Sequence, residues 1–271
     1  MDELILAVEC DVANEVICAP ASINSLFEFT TPIFHIGPYP VTRTVILIFL
    51  TAAVVLGFLY FGLRKKSLVP SKFEMVAESS MEFVRDGVGR DVIGPEGFKY
   101  VPYLTSIFLF ILIGNFFKLT PFINLPVTSR MAIPAFLALV TYVIFMFVGF
   151  KKNGFRYLLD TIWPAHVPIG LRWLVGIIEL VSVFLLRPFT LAVRLFANMV
   201  AGHLMLVLLL GSAFIFLTSW GDAGLKALVG VPWLALGLFI FVFEMVVVVL
   251  QAYIFTLLSA VYIESSVNFE H

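Results

Sequence analysis

The stretch from residue 171 to residue 217 is almost entirely apolar, with one proline and only isolated charges. As one continuous α-helix it would be roughly 70 Å long, more than twice the hydrocarbon thickness of a bilayer. Residues 227–263 repeat the pattern over roughly 55 Å, and a turn-forming segment at residues 219–224 separates the two stretches. Either the first stretch turns back near Pro188, or it is a long helix that crosses the membrane at a steep tilt.

The composition indicates a membrane protein. Of 271 residues, 61% are hydrophobic and 13% are charged, whereas soluble chains carry about 25% charged residues. We therefore expect an integral membrane protein. The net charge of −1 argues against a nucleic-acid partner, because phosphate binding needs a basic face.

The N-terminal tail is acidic. Residues 1–10 have no basic segment before an apolar core, so we expect this end to be retained and not cleaved as a signal peptide. Cys10 and Cys18 lack the spacing of a structural zinc site. We interpret both as incidental, and a disulfide is the alternative for an extracytoplasmic tail.

Residues 44–63 are uncharged and are followed by Arg64, Lys65 and Lys66. Such a segment is long enough to cross a hydrocarbon core of ~30 Å. No lysine or arginine precedes Arg43, so the positive-inside rule places the tail outside and the basic cluster in the cytoplasm.

A surface helix is predicted after this span. Ser71 and Glu74 have the spacing of a capping box, and Pro70 ends any helix arriving from upstream. The apolar positions then recur every three or four residues, which predicts an amphipathic helix along the cytoplasmic surface. A helix packed on a partner subunit is the alternative. The apolar positions are Phe73, Val76, Ala77, Met81, Val84 and Val88.

Two further apolar runs, at residues 100–117 and 131–150, predict a helical hairpin. Its connecting turn carries Lys118 and Arg130, which is a weak contradiction of the positive-inside rule. A basic cluster returns the chain to the cytoplasm at Lys151, Lys152 and Arg156.

The fold class predicted is an all-α integral membrane protein with about five membrane helices and one amphipathic surface helix. The last two membrane helices are expected to be very long and to form a steeply tilted hairpin. We divide the chain into an acidic extracytoplasmic tail (1–40), a first transmembrane helix (41–66), a cytoplasmic surface helix with its linker (67–98), a transmembrane hairpin (99–156) and a long tilted hairpin carrying the ion-path residues (157–271).

Arg194 lies inside one of the most apolar stretches. A guanidinium at membrane depth costs at least about 2.5–3.5 kcal/mol and keeps its proton, so it needs an anionic partner or a water path. Asn198, four residues on, shares its helix face, and Arg187, seven residues before, lies on nearly the same face. We interpret Arg187 as an interfacial residue with a snorkelling or assembly role, and a direct transport role is the alternative.

Four more polar residues lie in apolar surroundings. His203 is nine positions after Arg194, about 180° around the helix, and therefore points away from what Arg194 faces. Glu244 and Gln251 are seven apart and share one stripe. If the long helices form a hairpin, a His203–Glu244 pair could hold or pass a proton; a satisfied packing histidine is the alternative. Glu179 either lines a cytoplasmic-side water path or forms a structural ion pair.

No motif of soluble-type catalysis is present in the sequence. It has no glycine-rich phosphate loop with its lysine, no pair of zinc-binding histidines around a glutamate, and no serine in a nucleophile elbow. We expect no cofactor and no metal site.

The polar residues lie in a recognisable motif. Residues 187–206 read RPFTLAVRLFANMVAGHLML, and residues 251–255 read QAYIF. This pattern closely resembles the signature of subunit a of F-type ATP synthases. The resemblance extends to Tyr262 and, more loosely, to residues 69–73 and Asn115, so that it covers most of residues 40–265.

The resemblance implies a stator subunit that faces a rotating ring of c subunits, with two offset half-channels leading to the ring carboxylates. Arg194 matches the family's essential arginine, which attracts an ionised ring carboxylate and separates the half-channels. Asn198 and Gln251 match polar positions near that arginine. His203 and Glu244 stand where many bacterial relatives carry a glutamate and a histidine, which favours proximity and a shared role in the half-channel opposite the cytoplasm.

One departure from the family pattern is the absence, around residues 116–125, of an acid that some relatives carry at the channel mouth. The implied partners are the c-subunit ring, the b subunits of the peripheral stalk, the remaining ATP synthase subunits and the lipid bilayer. The chain is expected to bind no nucleotide and to serve as one component of a two-sector ATPase that transports H⁺, which we favour over Na⁺. A bacterial plasma membrane is expected, and the mitochondrial inner membrane is the alternative.

A secondary transporter or ion channel, in which Arg194 binds an anionic substrate, is the alternative function. Transporters commonly have internal repeats and helices broken at the midplane. This sequence shows no repeat, and its helices are over-long instead of interrupted. A purely structural scaffold does not explain why Arg194, His203, Glu244 and Gln251 lie in lipid.

Overall fold

The computed structural model describes residues 8–9, 16–20, 34–36, 39–64, 71–120, 127–154, 169–219 and 224–267. In this part of the chain, five helices are long and apolar enough to cross a membrane. Two short antiparallel strand pairs precede them: β1 (Val8–Glu9) with β2 (Ala19–Pro20), and β3 (Phe34–Ile36) with β4 (Tyr39–Val41). The predicted all-α integral membrane protein is confirmed.

The first membrane helix and the helix after it begin close to where the sequence predicts. Helix α1 spans Arg43–Arg64 and helix α2 spans Lys72–Val84. The capping box is confirmed, because the Ser71 side chain accepts from the Glu74 amide at 3.3 Å and the Glu74 carboxylate accepts from the Ser71 amide at 2.9 Å. These two bonds satisfy main-chain donors that the first helical turn leaves without partners.

The exposed face of α2 carries large apolar side chains. Phe73, Met75 and Val76 are exposed, whereas Ala77 and Val84 are buried. A π-helical segment, Arg85–Ile93, and a 3₁₀ segment, Pro95–Lys99, then lead to the next membrane helix. The two are joined at Gly94, whose φ of 81° lies in the region that favours glycine. Membrane-surface placement of α2 stays a prediction.

The predicted helical pair is present. Helix α3 spans Val101–Phe116 and continues as a 3₁₀ turn, Phe117–Leu119, while helix α4 spans Ala132–Asn153. A second 3₁₀ turn, Val127–Ser129, precedes α4. Residues 121–126 of the predicted link lie outside the described residues, as do Lys65, Lys66 and Arg156.

The long stretch around Pro188 does not turn back. Helix α5 (Ile169–Val181) passes through a π-helical segment (Ser182–Leu186) into helix α6 (Arg187–Thr218) without interruption. A proline lacks the main-chain donor and crowds the preceding turn, and the widened π-helical turn directly before Pro188 accommodates it. Of the two alternatives open from sequence, only the long helix remains; its tilt stays a prediction.

The last helix, α7, spans Gly230–Val267 and follows a 3₁₀ segment, Gly224–Val229. The chain divides into two compact units, which are described separately. One comprises Met1–Ala52, Leu112–Ser129 and Ala197–Leu250, here called the first unit; the second unit comprises Ala53–Ile111, Arg130–Phe196 and Gln251–His271.

In the first unit, α6 and α7 pack as an antiparallel hairpin. Gly230 lies against Leu217, and Gly237 lies against Leu210, so rising numbers on one helix meet falling numbers on the other. A side chain at either glycine would meet the partner helix, which explains why the smallest residue stands there. The hairpin predicted from the turn at residues 219–224 is therefore present in this unit.

A segment of the N-terminal tail contacts both helices of this hairpin. The Cys18 amide donates to Ser212 Oγ at 2.9 Å, and Trp233 Nε1 donates to the Val16 carbonyl at 2.9 Å. Cys18 is disulfide-bonded, so its interpretation as incidental is wrong and the disulfide alternative holds. Cys10, the other cysteine of the sequence, lies outside the described residues.

The second unit is built around close helix contacts and aromatic rings. Gly62 of α1 lies directly against Ala77 of α2. An aromatic cluster links α4 to the end of α7, where the Phe145 and Tyr262 ring centroids are 6.0 Å apart, and Tyr142 packs edge-to-face on Phe145 at 5.1 Å. Rings in such arrangements contribute about 0.5–1.5 kcal/mol beyond their buried area.

Candidate ion-path site

Arg194 is exposed on α6. Within the described part of the chain, no hydrogen bond or ion pair reaches its guanidinium. The residues on either side in the helix, Val193 and Leu195, are apolar. An always-charged group in such a helix requires an anion or water, and the described chain supplies no anion.

Asn198 and Gln251 are the two amides predicted near Arg194. Asn198 lies one helical turn after Arg194 on α6 and is half-buried. Gln251 of α7 is buried, and its side-chain Nε2 has no hydrogen-bond partner among the described residues. A buried donor without a partner is costly and rare. No hydrogen bond joins Gln251 to Arg194 within that part of the chain.

Glu244 forms a buried ion pair that sequence reasoning missed. Lys118 Nζ donates to Glu244 Oε2 at 2.6 Å, and the two side chains are 1% and 7% exposed. Lys118 is carried by the 3₁₀ turn that ends α3, and Glu244 lies in the middle of α7. The carboxylate is therefore paired, as an acid at this depth must be unless it is neutral or hydrated.

Gly202 of α6 packs directly against this ion pair. A Cβ at residue 202 would collide with the Glu244 carboxylate and would lie 2.5 Å from Lys118 Nζ. Its neighbour His203 is 2% exposed. The ion pair found for Glu244 is with Lys118, and the predicted His203–Glu244 pair stays a prediction.

A buried hydrogen bond supports the turn that carries Lys118. Thr128 Oγ1 donates to Asn115 Oδ1 at 2.6 Å, and both residues are buried. Asn115 lies three residues before Lys118 on the same helical end, and Thr128 lies in the 3₁₀ turn before α4. This bond joins the last turn of α3 to the 3₁₀ turn before α4.

Arg187 and Glu179 lie in the second unit. Arg187 Nη1 donates to Ser265 Oγ at 2.9 Å, and its guanidinium stacks over the Tyr262 ring at 5.3 Å. These contacts tie the start of α6 to the end of α7, and both roles considered for Arg187 stay predictions. Glu179 of α5 is half-buried and forms no ion pair among the described residues, so the structural ion pair considered for it is absent there.

The comparison with known proteins identifies the family. The family model described as ATP synthase A chain matches residues 45–264. The chain belongs to the ATP synthase subunit a family.

Bacterial members of this family align over most of the chain. The subunit a of Rhodococcus erythropolis (strain PR4) is 38% identical over 248 residues, which cover 90% of this chain and 90% of the relative. That of Nocardioides sp. (strain JS614) is 39% identical over 253 residues, covering 92% and 88%. That of Frankia alni is 40% identical over 216 residues, covering 78% and 73%.

The roles predicted for individual residues stay predictions, and no observation favours the transporter or channel alternative. Arg194, Asn198 and His203 all lie within the matched range, as does Glu244. Lys118 was interpreted only as an exception to the positive-inside rule. The signal available in the sequence was Glu244 itself, because a buried acid in an apolar helix requires a partner and Lys118 is a basic residue at the end of another apolar run.

Proposed function

We propose that this chain is the proton-translocating stator subunit of the ATP synthase membrane sector, and that Arg194 separates two half-channels at the surface of a c-subunit ring. The observation that carries the proposal is the exposed position of Arg194 without an ion-pair partner among the described residues. A cation displayed in this way on an apolar helix fits an anion supplied by another subunit.

Coulomb attraction explains how the arginine would act. At about 4 Å, opposite unit charges attract by about 4 kcal/mol at the effective dielectric constant of a partly solvated protein site. A fixed guanidinium therefore stabilises an ionised ring carboxylate and disfavours its protonation. The arriving carboxylate releases its proton on one side and takes up another after it has passed. Because the guanidinium stays charged, it also opposes direct proton passage between the half-channels.

The other polar residues would have two roles: some would support Arg194, and others would line the half-channels. Gln251, whose buried amide lacks a partner among the described residues, and Asn198 would orient the arginine and the incoming carboxylate. Glu244 and His203 would line the half-channel opposite the cytoplasm. Glu179, half-buried and outside any ion pair of the described residues, would line the cytoplasmic-side path.

The partners follow from the same assignment. The c-subunit ring would lie against the exposed arginine face, and the b subunits of the peripheral stalk would hold the stator in place. Helix α7 exposes Phe239, Val242 and Val246, which fits contact with lipid or an apolar ring surface. The named relatives are bacterial, which supports placement in a bacterial plasma membrane.

The test is Arg194→Ala in the complete ATP synthase reconstituted into vesicles. We expect ATP-driven proton pumping to be abolished, while passive proton leak through the membrane sector is retained or increased. Arg90→Ala is the matched control, since Arg90 is exposed and lies outside the membrane helices; it should pump like the wild type. Wild-type pumping by Arg194→Ala would refute the proposed role.

A further inference from the structure

The proposed function does not explain why Glu244 forms a buried ion pair with Lys118 in the first unit. Its ammonium and carboxylate atoms are 2.6 Å apart, and both side chains are almost completely buried. A buried ion pair is not an efficient way to stabilise a fold, because the desolvation of two charges offsets their attraction and an apolar pair of similar volume does as well or better. This pair therefore calls for an explanation in terms of the carboxylate's task.

The two oxygens of Glu244 have different surroundings. Oε2 accepts the hydrogen bond from Lys118 Nζ. Oε1 is the oxygen nearest to the position where a Cβ of residue 202 would lie, so it faces Gly202. Because residue 202 has no side chain, Oε1 can approach the α6 main chain closely, and the buried His203 is the next residue along α6.

We propose that Lys118 is a positioning residue for Glu244: its ammonium occupies Oε2 and turns Oε1 toward Gly202 as the atom that exchanges a proton. The inference rests on the proposed function, because it assumes that Glu244 lies on the ion path. In each transfer a proton arriving through the half-channel opposite the cytoplasm adds to Oε1, and it later leaves Oε1 toward the ring carboxylate. Lys118 keeps its three protons throughout and acts by fixing the carboxylate and compensating its charge.

The support of Lys118 by the rest of the fold agrees with this role. Lys118 lies in a short 3₁₀ turn, and the neighbouring Asn115 accepts the buried hydrogen bond from Thr128. The last turn of α3, directly before the turn that carries Lys118, is thereby joined to the 3₁₀ turn before α4. Because this support restricts the movement of Lys118, its ammonium can hold the Glu244 carboxylate on α7 in one orientation, as positioning requires.

The test uses the complete ATP synthase in vesicles, with ATP-driven proton pumping normalised to the amount of assembled complex on native gels. Lys118→Met removes the charge and should lower pumping roughly tenfold or more, whereas Lys118→Arg retains the charge and should stay within about threefold of the wild type. Lys152→Met is the matched control. Lys152 forms an ion pair with Glu96 at 3.1 Å, but that pair is exposed, so its loss should leave pumping within about twofold.

A charge exchange separates positioning from structural support. The double variant Lys118→Glu/Glu244→Lys keeps an ion pair between the same two positions but moves the carboxylate from α7 to the turn after α3. Positioning predicts that this variant assembles and pumps roughly tenfold or more below the wild type, since the carboxylate no longer faces Gly202. If Lys118→Met leaves too little assembled complex to measure, the exchange variant decides alone.

Three results would overturn the inference: wild-type pumping by Lys118→Met, wild-type pumping by the exchange variant, or a Lys118→Arg variant that pumps as poorly as Lys118→Met. Arg194→Ala is measured in the same vesicles. If that variant pumps normally, the proposed function itself fails. If it is inactive while Lys118→Met and the exchange variant pump normally, only the role of Lys118 fails.

Discussion

Gly202→Ala tests the packing at the Lys118–Glu244 ion pair with a single added methyl group. The Cβ of the new alanine would collide with the Glu244 carboxylate and would lie 2.5 Å from Lys118 Nζ. Lys118 and Glu244 are both buried, so neither group can move into solvent without breaking the pair. Something in the first unit therefore has to shift.

The expected loss of stability follows from two opposing effects. Replacing glycine by alanine within a helix stabilises it by about 0.5–1 kcal/mol, because the unfolded chain loses freedom. Overpacking a well-filled site costs typically about 1–3 kcal/mol, and separating a buried ion pair costs about 3–5 kcal/mol. If the pair stays together and the helices move apart, the net loss is between about 0 and 2.5 kcal/mol; if the pair breaks, the loss is larger.

The assay is the midpoint temperature at which the chain leaves the assembled complex, read from native gels after stepwise heating. Gly57→Ala is the matched control, because Gly57 also lies within a membrane helix but a Cβ there meets nothing within 4 Å. We expect Gly202→Ala to lower the midpoint and Gly57→Ala to leave it unchanged or raise it. Equal midpoints for the two variants would show that residue 202 is not tightly packed, and the reasoning about the ion pair would fail with it.

Two further predictions concern hydrogen bonds. Ser71→Ala removes the N-cap of α2 and should destabilise that helix by about 1 kcal/mol, measured as faster amide hydrogen exchange over residues 72–76. Ser80→Ala is the control, because the one hydrogen bond of its hydroxyl among the described residues is to the Val76 carbonyl. The control should leave those rates unchanged, and unchanged rates in Ser71→Ala would contradict the prediction. Thr128→Val leaves Asn115 Oδ1 without its donor and should lower the free energy of unfolding by about 1–3 kcal/mol, seen as a lower midpoint in the heating assay; a midpoint equal to that of the wild type would contradict it.

The helices could be predicted from sequence because their signals are local. Uninterrupted apolar runs of the right length predicted α1, α3 and α4 to within a few residues, and the Ser71 and Glu74 pair predicted the start of α2. In a bilayer the main chain must satisfy its own hydrogen bonds, and an apolar run of this length does so by forming a helix.

Two features of the fold depended on a local helix irregularity and on a long-range contact, which the sequence does not reveal. The sequence left open whether the chain turns back near Pro188 or continues as a long helix, and the outcome depended on a π-helical segment, Ser182–Leu186, that accommodates the missing main-chain donor. Cys18 is disulfide-bonded and its amide contacts Ser212, which is 194 residues away in the sequence. No local pattern around residue 18 reports a partner at that distance.

The site was predictable only in part, for the same reason. The need of Glu244 for a partner follows from its apolar helix, but 126 residues separate it from Lys118. Charge-based topology treated that lysine as a residue of an outer loop. The sequence analysis predicted His203 as the partner of Glu244 instead, because the hairpin places these two residues at a comparable depth. Partner identity in a membrane core is decided by three-dimensional packing, and the sequence supplies only the requirement for a partner.

Arg194 and Lys118 show how one physical requirement can be met in two ways. Each is a cation in an apolar environment, where an unpaired charge is costly. Lys118 is buried and its anion comes from the same chain. Arg194 is exposed, and the described residues offer it no anion. A lysine paired within the chain is held at one carboxylate, whereas an arginine without such a partner can exchange one external carboxylate for the next. The proposed rotor contact needs the second arrangement, because a guanidinium already bound to an acid of its own chain would have no charge to offer a passing one.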